Sequence, residues 1–469
     1  MSSRTVVALA LLIASIVAPD RPAHAAYRQS RFLIGGIVTD TPVPADTTVL
    51  GRIAAAGVDW VFFYGWHYAR LSGAAEVTAA LEQLRAHRAG FAMKSLACYE
   101  SDADRTRAGR GRLFLNRDEA LSLGAIDSTL APERGINAPS TLGWTIWDEP
   151  ELGDSLAFRN IGLMSRRIAA NPSSSSGLAF TNLFSSCIRD TAIADSAYTA
   201  YLERYLGLFD APLAPPPLLS FDEYPFQVPE RIENNWFRTL RLVRDATNAY
   251  ARRTGVRVPW QAMIQLSPYR DPAVPVFSAM FGVVNTRWQA YTAVAYGAKG
   301  LCYYQLGPAK SRIEVWGDGI VDARGDTVAT RYSQIRALDA DLHHLGPTLM
   351  RLDPVETLHA DTLHWTGIRD ELVRGSQSAH RILASFNAGS DSVLAGHLRD
   401  RTNGDDYLMV VSKALAANST FTLTLASRAD SLFRISRSTG RQVLVGARTS
   451  TIRLTRLAPG QGELFRIVE

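Results

Sequence analysis

Residues 143–152 read GWTIWDEPEL: a run of aromatic and β-branched residues that stops on two adjacent carboxylates, Asp148 and Glu149, and a proline. The apolar part has the composition of a strand. Helix-period sequence follows at once, "DSLAFRNIGLMSRRIAA". A strand that hands polar groups to the start of a helix is one β/α unit, and the question is whether the unit repeats.

It does. Reading outward, strand candidates are FLIGGIV (32–38), VDWVFFYGW (58–66), FAMKSLAC (91–98), LGWTIW (142–147), GLAFTNL (177–183), PLLSFDEY (217–224), VPWQAMIQL (258–266) and GLCYYQL (300–306). Amphipathic stretches separate them, several closing on glycine as helices often do. Eight strands with intervening helices is the count of a (β/α)8 TIM barrel. The competing doubly wound sheet lacks its Gly-rich phosphate loop after the first strand. Beyond about Pro347 short alternating runs and turn formers ("NAGSD", "RTNGDD", "STG") take over, the texture of an antiparallel β-sandwich. The expected organisation is a leader over 1–25, a barrel over 26–346 and a β-sandwich accessory domain over 347–469.

The leader reading rests on one arginine, an apolar run from Val6 to Val17 and the small-residue pattern Ala23-His24-Ala25, the arrangement of a secretory signal peptide. The run is too short to span a bilayer comfortably, so export to the periplasm or outside the cell is expected, with no membrane insertion after cleavage. The formal charge of +5 is mild, and no basic run or basic–aromatic stripe marks a nucleic-acid partner. Cys98, Cys187 and Cys302 allow at most one intrachain disulfide, and nothing has the Cys/His spacing of a metal site. No cofactor is expected.

In a TIM barrel the reacting groups come from the C-terminal strand ends and the loops after them. Those positions hold Asp40; Tyr64, Trp66 and His67; Lys94; Trp147, Asp148 and Glu149; Asn182; Asp222, Glu223 and Tyr224; Gln265; and Tyr304 with Gln305. Aromatic faces stack on the C–H surface of a sugar, amides and carboxylates bind its hydroxyls, and a pair of carboxyls can break a glycosidic bond. An oligo- or polysaccharide is the partner this set suits.

GWTIWDEP on strand 4, SFDEYPF on strand 6 and RWQAYTAVAYGAKGLCYYQL into strand 8 resemble the TIM-barrel glycoside hydrolases. The resemblance implies that Glu149, before Pro150 at the end of strand 4, is the general acid. Two positions depart from it: Asp148 stands where the large retaining clan has Asn, and strand 7 offers Gln265 where that clan has its nucleophilic Glu. The second carboxylate would then come from strand 6, as Asp222 or Glu223. Alternatively, Asp148-Glu149 resembles the pair of hexosaminidase-like families, in which the substrate's acetamido oxygen attacks. A barrel that binds glycan without cleaving it is the third reading.

Each residue also has a purely structural reading. Asp148 and Glu149 could cap the next helix, since carboxylates and proline both suit a helix start. Asp222-Glu223 could be a solvated turn, Trp66 and His67 rim packing, and Lys94 an ion-pair partner for a strand-end carboxylate. Trp144 and Trp147 should face opposite sides of their strand. No G-x-S-x-G elbow accompanies His67, which argues against a serine hydrolase.

Overall fold

A computed structural model describes residues 28–38, 47–63, 91–95, 141–170, 178–188, 191–210, 218–226, 235–270, 273, 281–310, 315–360, 382–387 and 392–469. Eight strands coincide with the stretches read from the sequence, the fourth running one residue beyond its stretch at each end: β1 Leu33–Val38, β2 Trp60–Phe63, β3 Phe91–Ser95, β4 Thr141–Asp148, β5 Leu178–Leu183, β6 Leu219–Asp222, β7 Trp260–Gln265 and β8 Gly300–Tyr304. All pair in parallel with their neighbours, and β8 pairs back onto β1, so the ring closes. The described helices are α1 Thr47–Ala55, α2 Ser155–Ala170, α3 Asp195–Gly207, α4 Asn235–Thr254, α5 Val283–Ala295 and α6 Ala329–Leu349. None is long and apolar enough to cross a membrane.

Alternation along the strands splits the apolar residues into two layers. Leu33, Ile37, Trp60, Phe180, Met263, Cys302 and Tyr304 fill the barrel interior. Ile34, Val38, Val61, Ala179, Leu183, Phe221, Ala262 and Tyr303 face the helices. Gly35 lies beside Trp60, where an added Cβ would sit 1.9 Å from the indole, so the interior tryptophan requires the glycine.

Seven antiparallel strands follow: β9 Leu352–His359, β10 Leu383–Asn387, β11 Val393–Asp400, β12 Asp406–Ser412, β13 Ser419–Ile435, β14 Gln442–Leu457 and β15 Gly462–Val468. They form one sheet rather than the two of the expected sandwich. The reason is β13. Its first part pairs with β10 and its last part with β15, and its pairing with β14 breaks register between Thr424 and Ala429. One long strand thus joins β10 and β15 into a single sheet.

The middle strands are buried on both faces. Leu394, Leu398, Tyr407, Met409, Val411 and Leu464 join the barrel's outer core, while Val393, Ala395, Leu408, Val410, Phe465 and Ile467 join a second core with Phe421, Leu423 and Ile452. The sheet approaches the barrel closely at Gly396, whose absent Cβ would lie 2.0 Å from the Ala295 carbonyl oxygen of α5. The Trp288 indole N–H donates to the Lys413 carbonyl (3.1 Å) across the same contact.

Candidate active site

The end of β4 is irregular in a way that decides where its carboxylates go. Thr145 pairs with Phe180, Trp147 with Thr181 and Asp148 with Asn182, so Ile146 is an extra residue in the ladder. Such a bulge re-aims the side chains beyond it. Ile146 and Trp147 both pack outward in the core under the helices, and Asp148, the next residue, turns to the barrel axis. Trp147, read above as lining the sugar site, is 4% exposed and belongs to that outer core. Glu149 has φ 46°, in the left-handed region that side chains avoid, and its N–H donates to the Asn182 carbonyl (2.9 Å).

Neither carboxylate caps the following helix. That task falls to Asp154, whose Oδ1 accepts from the Ala157 N–H at 2.8 Å, the reach of an N-cap to the third helical residue. The Asp-Glu-Pro corner is held from the outside by α3: the buried Tyr201 hydroxyl donates to the Pro150 carbonyl (2.9 Å) and accepts from the Phe184 N–H (3.2 Å).

On β6, Ser220 and Asp222 share the inward phase. Asn182 Nδ2 donates to Asp222 Oδ1 (3.1 Å) and to Asp148 Oδ1 (3.3 Å), and Glu149 is hydrogen-bonded to the Asp222 carboxyl. Asp148, Glu149 and Asp222 therefore gather at the C-terminal end of the barrel around one buried amide. Enclosure and the neighbouring Asp148 push the Asp222 carboxyl up to about 7, against the hydrogen bonds from Asn182 and Glu149 that favour its charged form. The buried phenols of Tyr198 and Tyr201 are held well above their usual range, by burial first, with nearby carboxylates, Asp222 among them for both, adding to it.

Glu223, one residue on, takes the opposite phase. Its Oε2 accepts from Thr239 of α4 (3.1 Å), and Thr239 also contacts the Ser186 hydroxyl (2.8 Å). The strand-6 carboxylate that meets Glu149 is Asp222. Gln265 is likewise committed to structure: its Nε2 donates to the carbonyls of Phe226 (2.9 Å) and Ser267 (3.3 Å), and its Oε1 accepts from the Phe226 N–H (3.2 Å). The position where the retaining clan has its nucleophile here braces the loop after β6.

An aromatic cluster forms at the ends of β6 and β8. Trp316 packs edge-on against Tyr304 (ring centroids 4.7 Å) and Tyr224 (5.1 Å), and lies 4.9 Å from Tyr269. Trp316 is buried and Tyr224 and Tyr269 are half-buried, so these two tyrosines present the accessible part of the cluster. Trp316 and Tyr269 escape a strand-end reading because they come from the loops after β7 and β8. Gln305 is buried, its N–H directed to Ser267 Oγ (3.4 Å). Lys94 lies in β3, in register with Phe63 and Trp144. Asp40, Tyr64, Trp66, His67 and Cys98 fall outside the described residues. Among the described residues no cluster of His, Cys, Asp and Glu could hold a metal ion.

No protein-family model matches the sequence, and no curated protein matches it. Solved structures do resemble the fold. A beta-galactosidase from Bacillus circulans sp. alkalophilus superposes with a TM-score of 0.53 at 11% identity, over 93% of this chain and 99% of its own. Gan42B, a GH42 beta-galactosidase, superposes with a TM-score of 0.50 at 9% identity, over 95% and 99%. At these identities the likeness is one of fold: a glycoside-hydrolase-like barrel followed by an antiparallel sheet.

Proposed function

We propose that the chain is an exported glycoside hydrolase in which Glu149 is the general acid and Asp222 the partner carboxylate. The observation that carries this reading is the hydrogen bond between the Glu149 and Asp222 carboxyls at the C-terminal end of the barrel. Such a bond needs one proton on the pair. In the proposed cycle that proton starts on Glu149, the state a general acid requires.

The spacing supports a double displacement. Inverting enzymes keep their carboxyls about 6.5–9.5 Å apart to admit a water, and retaining enzymes about 5–5.5 Å. Carboxyls in contact stand closer to the retaining arrangement than to the inverting one. In the proposed cycle a sugar entering against Tyr224 and Tyr269 separates the pair. Asp222 attacks the anomeric carbon while Glu149 protonates the departing oxygen, and Glu149 then takes a proton from the water that frees the sugar from Asp222. Asp148, accepting from the same Asn182 amide, keeps a negative charge beside the developing cation. An oligo- or polysaccharide met after export through the leader is the expected substrate.

Asp148, turned inward beside Glu149, also supports the substrate-assisted reading, in which an acetamido sugar supplies the nucleophile. Asp222→Asn separates the two, since only the double displacement requires a carboxylate there. The test of the general acid uses leaving groups. Glu149→Gln should lower kcat/KM about 10²–10⁴-fold on methyl glycosides or oligosaccharides and far less on p-nitrophenyl glycosides, whose leaving group needs no proton. Turnover of the unactivated substrates within a few-fold of wild type removes Glu149 from the role.

A further inference from the structure

The barrel interior carries a directed chain of hydrogen bonds that ends on the carboxyl cluster. Gln261 Nε2 of β7 donates to Ser220 Oγ of β6 (3.3 Å), and Ser220 donates to Asn182 Oδ1 of β5 (3.2 Å). Asn182 Nδ2 then donates to both Asp148 and Asp222. All three relay residues are buried, at 1%, 0% and 3% exposure.

The Asn182 amide has two ways round. As found, its oxygen meets a hydroxyl and its nitrogen meets two carboxylates. Reversed, its oxygen would face both carboxylates and its NH2 would face Ser220, taking away the oxygen to which the Ser220 hydroxyl donates. Ser220 therefore fixes the amide's direction from below while the carboxyls fix it from above.

Resting on the reading of this cluster as the catalytic one, we infer that Asn182 is a positioning residue that holds Asp148 and Asp222 as an aligned pair, and that Ser220 and Gln261 lock its amide for that purpose. Its two N–H groups bridge β4 and β6 across β5, so the strand-6 carboxylate stays opposite Glu149 only while the amide keeps this direction. Among the described residues, the other titratable groups acting on or sensing Asp222 are Asp148 and Glu149 from β4, the Tyr198 and Tyr201 phenols from α3 and the Cys302 thiol from β8. Burial keeps both phenols and the thiol neutral.

The Asn182 hydrogen bond favours ionised Asp222, so losing it must move Asp222 ionisation to higher pH. In the full chain, Asn182→Ala should displace the pH at which folding stability stops falling upward by ~1 unit, and Ser220→Ala by a smaller step in the same direction. The acid limb of kcat/KM on a methyl glycoside should move with it, about tenfold at pH 6 for Asn182→Ala relative to that variant's own plateau, with KM little changed. Variants that lose stability equally at every pH, with the acid limb unmoved, overturn the inference and leave Asn182 as core. A displaced stability profile in a chain that turns over no glycoside leaves the positioning role standing and removes the hydrolase reading.

Discussion

Asp222→Asn is the substitution whose outcome the geometry constrains most tightly. The replacement is isosteric: its Oδ1 can still accept from Asn182, and its new NH2 can donate to Glu149. What it removes is a carboxyl pushed up to about 7 in the fold from 3.8. Between those values the folded chain binds a proton that the unfolded chain has released, so wild-type stability falls as pH rises through this window. The slope from this one group is about 1.4 kcal/mol per pH unit, flattening above pH 7. Over ~3 units the burden amounts to about 4 kcal/mol.

The variant carries no such burden. The two proteins should agree in stability near pH 4 and diverge steadily until, at pH 8, Asp222→Asn is the more stable by up to about 4 kcal/mol. Groups that do not interact with Asp222 cancel in the difference. Urea unfolding at intervals from pH 4 to 8, followed by tryptophan fluorescence, measures it directly. Eight of the nine tryptophans precede residue 346, so the signal belongs to the barrel. Parallel pH profiles, or an advantage below about 1 kcal/mol at pH 8, would refute the account of a strained carboxyl cluster. Activity should vanish in the same variant, so the stabilised form is the inactive one.

Two further outcomes follow from the same geometry. Glu149→Gly relieves a residue at φ 46° that is not glycine, a conformation costing of order 1 kcal/mol, so it should abolish turnover without lowering the urea midpoint; a loss beyond about 1 kcal/mol would mean the side chain is held for structural reasons. Glu223→Gln keeps an acceptor for the Thr239 hydroxyl and should leave kcat/KM within a few-fold of wild type, whereas a loss of ~10²-fold or more would return Glu223 to the catalytic pair.

The strands of the barrel were legible because each is an apolar run between turn signals, and the carboxylates because they terminate two such runs. Phase was not. Alternation from Thr145 would bring Trp147 inward and send Asp148 out, and the bulge at Ile146 reverses both. Nothing in the composition of TIWDE announces a bulge, since Ile and Trp suit either face. Asp222 and Glu223 differ by one residue in a period of two, so choosing between them required the register of β6, which Ser220 and Asn182 supply.

In the second half β9 escaped notice because "LDPVETLH" breaks the apolar pattern with Pro354 and two acids. It can do so because it is an edge strand with a register shift between Pro354 and Glu356. The long strand β13 reads in sequence as two short runs, STFTLTLA and LFRISRS, for a related reason. Ser427, Arg428 and Asp430 lie at or beside the register break of β13 as a polar interval, which in sequence is indistinguishable from a turn.

The end of β4 separates structural from chemical demand within seven residues. A chain that needed only to leave the strand and start α2 would need one carboxylate, and Asp154 is that residue. Asp148 and Glu149 add nothing to the helix start. Instead the backbone accepts an unpaired bulge residue and a left-handed φ, and the interior accepts a carboxyl with its ionisation pushed up to about 7. Each runs against folding stability, and each is reinforced by a neighbour placed for it: Tyr201 on the Pro150 carbonyl, the Asn182 carbonyl on the Glu149 N–H, and the Asn182 amide on two carboxylates. Local strain held by surrounding structure at a barrel's C-terminal rim is where a reacting group is to be sought. The independent irregularities at this strand end converge on the same three side chains, and that convergence argues for acid/base chemistry there over incidental acidity.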